Sequence, residues 1–140
     1  NLIDSSEATK GRVFNLPHMQ HHEILFLMQR VPVSLDTFPW CGGLTTLESL
    51  SLGLPVVCME GDRMLYNLSS AIYGVADRGL QGQMACKDVE GYIDTAIKVV
   101  SDKGKHKQVL EKKAKKLFES QDAVFESWLG AFKTCGCLKE

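Results

Sequence analysis

Charge of one sign is what this chain most plainly lacks. Lys and Arg number 16 against 17 Asp and Glu, for a formal net charge of −1. Such a balance exerts no long-range pull on nucleic acid or on an anionic membrane surface. Long apolar runs are missing too. Ile24–Met28 and Leu50–Met59 fall well short of the ~20 residues of a membrane-spanning helix, and Gly53 and Pro55 interrupt the second. Asn1–Arg12 is polar and holds no apolar stretch of the kind a secretory signal carries. The five cysteines, at 41, 58, 86, 135 and 137, are odd in number and scattered. That usage suits a reducing compartment, so a cytoplasmic protein is expected rather than a disulfide framework.

What is present is globular. The 140 residues are 44% hydrophobic and 24% charged, which excludes a collagen and a disordered tail. At roughly 100–200 residues per domain, one core is expected. The first residue is Asn, and residues 1–10 are expected to be a linker or a truncation scar at the edge of a longer chain.

Arg12–Leu16 is a short apolar-rich run closed by Pro17 and is expected to be a strand. His22–Arg30 carries Ile24, Leu25, Leu27 and Met28 at helical spacing. Val31–Asp36 reads as a strand, Thr37–Gly43 as a loop, Thr45–Leu52 as a helix stopped by Gly53, and Leu54–Met59 as a buried strand. Arg63–Val75 reads as a helix broken after its end by Gly79 and Gly82. Gln83–Cys86 is a short fourth strand, and Lys87–Ser101, Lys105–Ser120 and Asp122–Phe132 are helices. Strands alternating with helices predict an α/β fold: a Rossmann-like parallel sheet of about four strands, helices on its faces and a helical C-terminus.

The chemistry concentrates in Leu35–Gly61, which runs strand, glycine-rich loop, helix, strand. Such a loop lies at the carboxyl end of a strand, where open α/β sheets bind ligands. Gly42 and Gly43 put no Cβ in the way of a phosphate. The free amides and dipole of the helix beginning near Leu44 make an anion site, and Thr45 and Thr46 add hydroxyls. Glu48, one turn on, can accept from the two hydroxyls of a ribose. The plainer alternative is a Gly-Gly that only starts a helix. No Walker lysine follows the loop and no Gly-x-Gly-x-x-Gly is present, which disfavours a nucleoside-triphosphate hydrolase and a nicotinamide enzyme.

Taken whole, Gly42-Gly-x-Thr-Thr-x-Glu-Ser-Leu-x-x-Gly-x-Pro-Val-Val57 resembles the donor-binding segment of GT-B glycosyltransferases, in their C-terminal domain. It is most similar to glycosyltransferase family 41, the O-GlcNAc transferase, SPINDLY and bacterial cytoplasmic N-glycosyltransferase group. The resemblance spans about residues 11–102. It implies a UDP-sugar donor, with N-acetylglucosamine as a candidate sugar and the diphosphate against Gly43, Leu44, Thr45 and Thr46. Glu48 would take the ribose, and the base would lie by the loop before the first helix, with backbone contacts at Met19 and His21 nearby. Three positions depart from the pattern: His21 stands for a Lys or Arg, Ile24 for a His or Tyr, and Cys41 for an Asn. The resemblance implies no metal and no cofactor, and the sequence holds no Asp-x-Asp. It also implies a protein or peptide acceptor and a catalytic base outside this chain, so the 140 residues are expected to be inactive alone, lacking the enzyme's N-terminal half.

The division expected is therefore 1–10 linker, 11–104 nucleotide-sugar-binding part and 105–140 C-terminal helices. Two rival readings stay open: a non-catalytic nucleotide-sugar module, and an α/β module that dimerises through the apolar stripe Phe125, Trp128, Leu129 and Phe132. His18, His21 and His22 read as a solvated helix start rather than metal ligands. Cys135-Gly-Cys137 reads as an unpaired tail, and the lysines from Lys103 to Lys116 as a solvated face.

Overall fold

The structure, a computed structural model, describes residue 7 and residues 9–102 and 104–119. Helix α1 (His21–Met28) is followed by strand β1 (Ser34–Leu35), helix α2 (Leu44–Ser51) and strand β2 (Val56–Met59). A short 3-10 turn at Met64–Tyr66 leads to α3 (Leu68–Ala76), α4 (Arg78–Met84), β3 (Ala85–Cys86), α5 (Val89–Ser101) and α6 (Lys105–Glu119). The three strands form one parallel sheet in the order β1-β2-β3, with Ser34 opposite Val56 and Cys58 opposite Ala85. Parallel neighbours need a crossover, and α2 supplies the first while α3 and α4 supply the second.

Val56, Val57 and Cys58 are all buried. Successive strand residues face opposite sides, so three in a row means that β2 is covered on both. Helices α2, α3 and α6 pack on one another, and α5 lies along β2 and β3. The core gathers Leu50, Val56, Val57, Tyr73, Leu80, Met84, Val99, Leu110 and Ala114 from six elements. Burial pushes the Cys58 thiol up to about 12, so it stays a neutral apolar group.

Helix α2 ends as the sequence predicts. Gly53 takes φ +69°, its amide donates to Leu50 O, and the Leu54 amide donates to Ser49 O. That pair of bonds is a Schellman stop, which favours glycine at the left-handed position.

Four expectations are corrected. Arg12–Leu16 is not a strand: Val13, Phe14 and Leu16 are exposed and pair with no strand among the described residues. An apolar run needs a neighbour for its amides and carbonyls, which its own pattern cannot supply. The sheet thus has three strands, not four. Gly79 and Gly82 do not break the chain but lie inside α4, which Asp77 starts by accepting from the Leu80 amide at 3.0 Å. Leu80 and Met84, both buried, anchor that helix to the core at a four-residue spacing and offset the cost of its glycines. Finally, Gln83 and Met84 belong to α4, leaving only Ala85–Cys86 as strand. The expected helix Asp122–Phe132, its apolar stripe and Cys135-Gly-Cys137 lie outside the described residues.

Strand β3 begins only opposite Cys58, so the buried Val56 amide has no strand to bond there. The Tyr73 hydroxyl accepts it instead, at 2.8 Å, and burial raises the phenol's pKa. Tyr73→Phe strands that amide, and we expect a loss of about 1–3 kcal/mol in urea unfolding. A loss below about 0.5 kcal/mol would show that the amide finds another partner.

Asp77 offers a second test. The Lys113 side chain, 2.8 Å away, and the Leu80 amide hold its carboxyl below the ordinary 3.8. A carboxylate lowered in the folded state stabilises it above the unfolded value, and that contribution disappears as pH falls through the folded one. The native chain should therefore lose more thermal stability than Asp77→Asn between about pH 4 and pH 2. Parallel curves for the two proteins would refute this.

Candidate functional site

Strand β1 is short, and the chain leaves it at Asp36 into the loop 36–43. Asp36 closes this loop across its neck. Its Oδ1 accepts from the Thr37 amide at 3.1 Å and from the Gly42 amide at 2.8 Å. Within the loop the Thr37 hydroxyl donates to the Trp40 carbonyl, and the Phe38–Pro39 peptide is cis. Outside it, the Tyr92 hydroxyl of α5 donates to the Asp36 carbonyl at 2.8 Å.

The other side of Gly42 is held as firmly. Its carbonyl accepts from the Thr46 hydroxyl at 3.1 Å and from the Ser69 hydroxyl at 2.7 Å, and those two hydroxyls lie 2.8 Å apart. A Cβ at Gly42 would overlap the Thr45 hydroxyl and come within 3.2 Å of Asp36 Oδ1. A larger residue there would have to turn the Thr45 side chain aside and crowd Thr46 and Asp36. Cys41 ties the loop to the next one: its buried thiol donates to the Leu65 carbonyl at 2.6 Å and accepts from the Leu68 amide at 3.2 Å. Asn67 in turn clamps 61–67, bonding the Gly61 amide and carbonyl and the Arg63 carbonyl.

Helix α2 then starts with Gly43 as its N-cap and no side-chain cap. The first amide used inside the helix is that of Leu47, which donates to Gly43 O. The amides of Gly43, Leu44, Thr45 and Thr46 have no partner among the described residues. Uncapped first-turn amides at the positive end of a helix are an anion-binding arrangement. Beside them runs a cleft of about 340 Å³ whose walls include Asp36, Thr37, Gly42, Thr45, Thr46 and Ser49.

The structure brings most of the expected residues together, with one change of role. Gly42, Gly43, Leu44, Thr45 and Thr46 surround the start of α2. Glu48 sits one turn on and meets His21 of α1, with Oε1 2.8 Å from Nε2. His21 and Glu48 lie 27 residues apart, and nothing in their spacing announces the pair. Met19 is half-buried on the segment that leads into α1. Thr46 differs from expectation: it is 1% exposed, and its hydroxyl is spent on Gly42 and Ser69. Only its amide is left unpaired among the described residues, whereas the exposed Thr45 presents its side chain at the cleft.

Two residues escape sequence reasoning. Ser69 reaches the loop from α3 and carries no local signal. Asp36 stands inside the quoted motif, but its part emerges only when the loop folds back on it. Its second oxygen, Oδ2, is buried without a hydrogen-bond partner among the described residues. No group of three or more His, Cys, Asp or Glu converges as a metal site among the described residues. No described helix is long and apolar enough to cross a membrane.

No protein-family model matches the chain. Among curated proteins it is similar to the probable UDP-N-acetylglucosamine–peptide N-acetylglucosaminyltransferase SPINDLY of Arabidopsis thaliana, 33% identical over 90 residues. The match covers 64% of this chain and 9% of that protein. The tomato protein of the same name, from Solanum lycopersicum, is 34% identical over 90 residues, again 64% of this chain and 9% of the relative. Among solved structures, an O-GlcNAc transferase mutant of Thermobaculum terrenum aligns with a TM-score of 0.58 at 29% identity, covering 84% of this chain and 24% of that one. The chain thus spans about a tenth of the length of these curated relatives. The expected resemblance holds in both sequence and fold: this chain is similar to SPINDLY-type N-acetylglucosaminyltransferases in sequence and to an O-GlcNAc transferase in structure.

Proposed function

We propose that this chain is the donor-binding part of a glycosyltransferase, taking a UDP-sugar at the start of α2. The observation that carries the reading is the uncapped first turn at Gly43–Thr46, with the Glu48 carboxylate one turn further on. The diphosphate would accept from the amides of Gly43, Leu44, Thr45 and Thr46 and from the Thr45 hydroxyl. Glu48, oriented by His21, would accept from the ribose hydroxyls, and the base would lie towards Met19.

In sugar transfer the bond from the anomeric carbon to the β-phosphate oxygen breaks, and negative charge grows on that phosphate. Fixed amide dipoles stabilise this charge more in the transition state than in the ground state, which is the condition for catalysis. In this reading no metal or other cofactor is needed, because the helix terminus supplies the electrophilic groups. The named site residues include no Lys or Arg to balance a multiply charged diphosphate. The rest of that balance, the catalytic base and the protein or peptide acceptor would come from the remainder of a longer enzyme. The 140 residues alone would then bind donor weakly and transfer nothing. Residues 1–10 would lead in and 11–104 would hold the nucleotide-sugar, with α6 (Lys105–Glu119) following. The whole would work in the cytoplasm.

Titration of the isotopically labelled chain with UDP tests this by NMR. Amide shifts should map to Gly43–Thr46 and Glu48, with affinity in the millimolar range. Gly42→Ala, whose methyl displaces the Thr45 hydroxyl and crowds Thr46 and Asp36, should weaken the response by about tenfold, and Glu48→Ala should weaken UDP and uridine alike by about tenfold. A spectrum unmoved by about 10 mM UDP, which corresponds to less than about 3 kcal/mol of binding, would sink the reading.

A further inference from the structure

We infer that Asp36 is the positioning residue of this loop: its carboxylate sets the direction in which the Gly43 amide and the first turn of α2 present their donors. The inference rests on the reading of Gly43–Thr46 as the diphosphate site. Gly42 has both its amide and its carbonyl held by side chains. Asp36 Oδ1 holds the amide, and Thr46 and Ser69 hold the carbonyl. These bonds fix the two peptide planes on either side of the Gly42 Cα. In a trans peptide the C=O and the following N–H point in opposite directions. With the Gly42 carbonyl turned inward onto two buried hydroxyls, the Gly43 amide of the same peptide plane is turned outward.

The residue type argues for holding rather than for binding an anion. A carboxylate beside a phosphate repels it, so its presence in the cleft wall would weaken the site by charge alone. What it supplies is a charge-assisted acceptor for two backbone amides, stronger than a neutral one. The Asp36 main chain is itself pinned, its amide donating to Val57 O and its carbonyl accepting from Tyr92. The acceptor therefore hangs from the sheet, and the loop is registered to the sheet through it.

Asp36→Asn keeps an acceptor oxygen at the same reach and removes the charge. Asp36→Glu keeps the charge and moves the oxygens by a methylene. Asp36→Ala removes the acceptor. In the full 140-residue chain, D36N should hold UDP within about threefold of the native value or tighter, while D36A and D36E should lose about tenfold. Uridine, which has no phosphate, should be bound alike by all four proteins. A merely structural role would weaken uridine and UDP together. Equal UDP binding by the native, D36A and D36E proteins, or parallel losses of UDP and uridine, would overturn the inference. Hydrogen exchange at the Gly42 amide separates this from the donor reading: it should quicken by about tenfold in D36A and D36E and stay slow in D36N. If the native chain ignores UDP, the donor reading falls while the exchange pattern still decides what Asp36 holds. Should D36A not fold, D36N and D36E between them decide the same question.

Discussion

The peptide groups around Gly42 are gripped from both sides, and the geometry of the site follows from that grip. A carboxylate at the end of β1 takes the amide, and two hydroxyls from α2 and α3 take the carbonyl. Two near neighbours in sequence and one residue 27 positions away thus meet on one glycine. A single added carbon there would overlap the Thr45 hydroxyl and crowd Thr46 and Asp36, two of the groups that hold the residue. Everything downstream, from the bare N-cap at Gly43 to the position of Glu48, inherits its direction from this point.

The same economy appears elsewhere at this end of the sheet. Cys41 spends its thiol joining the 36–43 loop to the start of α3, and Asn67 folds 61–67 onto itself. Side chains, not backbone ladders, organise these loops, because strands of two to four residues are too short to do so. Tyr73 fills the corresponding gap inside the sheet. Buried polar groups are tolerable only when paired, so each of these bonds also removes a penalty. The amides of Gly43–Thr46 are the contrast. They have no hydrogen-bond partner among the described residues.

Similarity to the SPINDLY-type transferases and the local geometry are separate observations. The relatives are named as transferases of N-acetylglucosamine to peptides, and this chain matches about a tenth of their length. The geometry asks less: a helix start that attracts an anion, with a carboxylate one turn on.

Local patterns determined much of this protein. The period of Leu44–Ser51, the stop at Gly53, the buried run Val56–Met59 and the glycine pair before a helix are all local features, and each was readable without the fold. So was the amphipathic helix Val89–Ser101. Longer-range matters were not. Arg12–Leu16 has a strand's composition but no partner, and Gly79 and Gly82 sit in a helix because Leu80 and Met84 are needed in the core. In the site, residue types and spacing marked Gly42–Glu48, and the family resemblance pointed to Met19 and His21. Only tertiary structure joined His21 to Glu48, turned the Thr46 hydroxyl inward and gave Asp36 and Ser69 their parts. The reason is physical: periodicity and caps act over a turn or two of chain, whereas a hydrogen bond across 27 residues exists only once packing has brought its ends together.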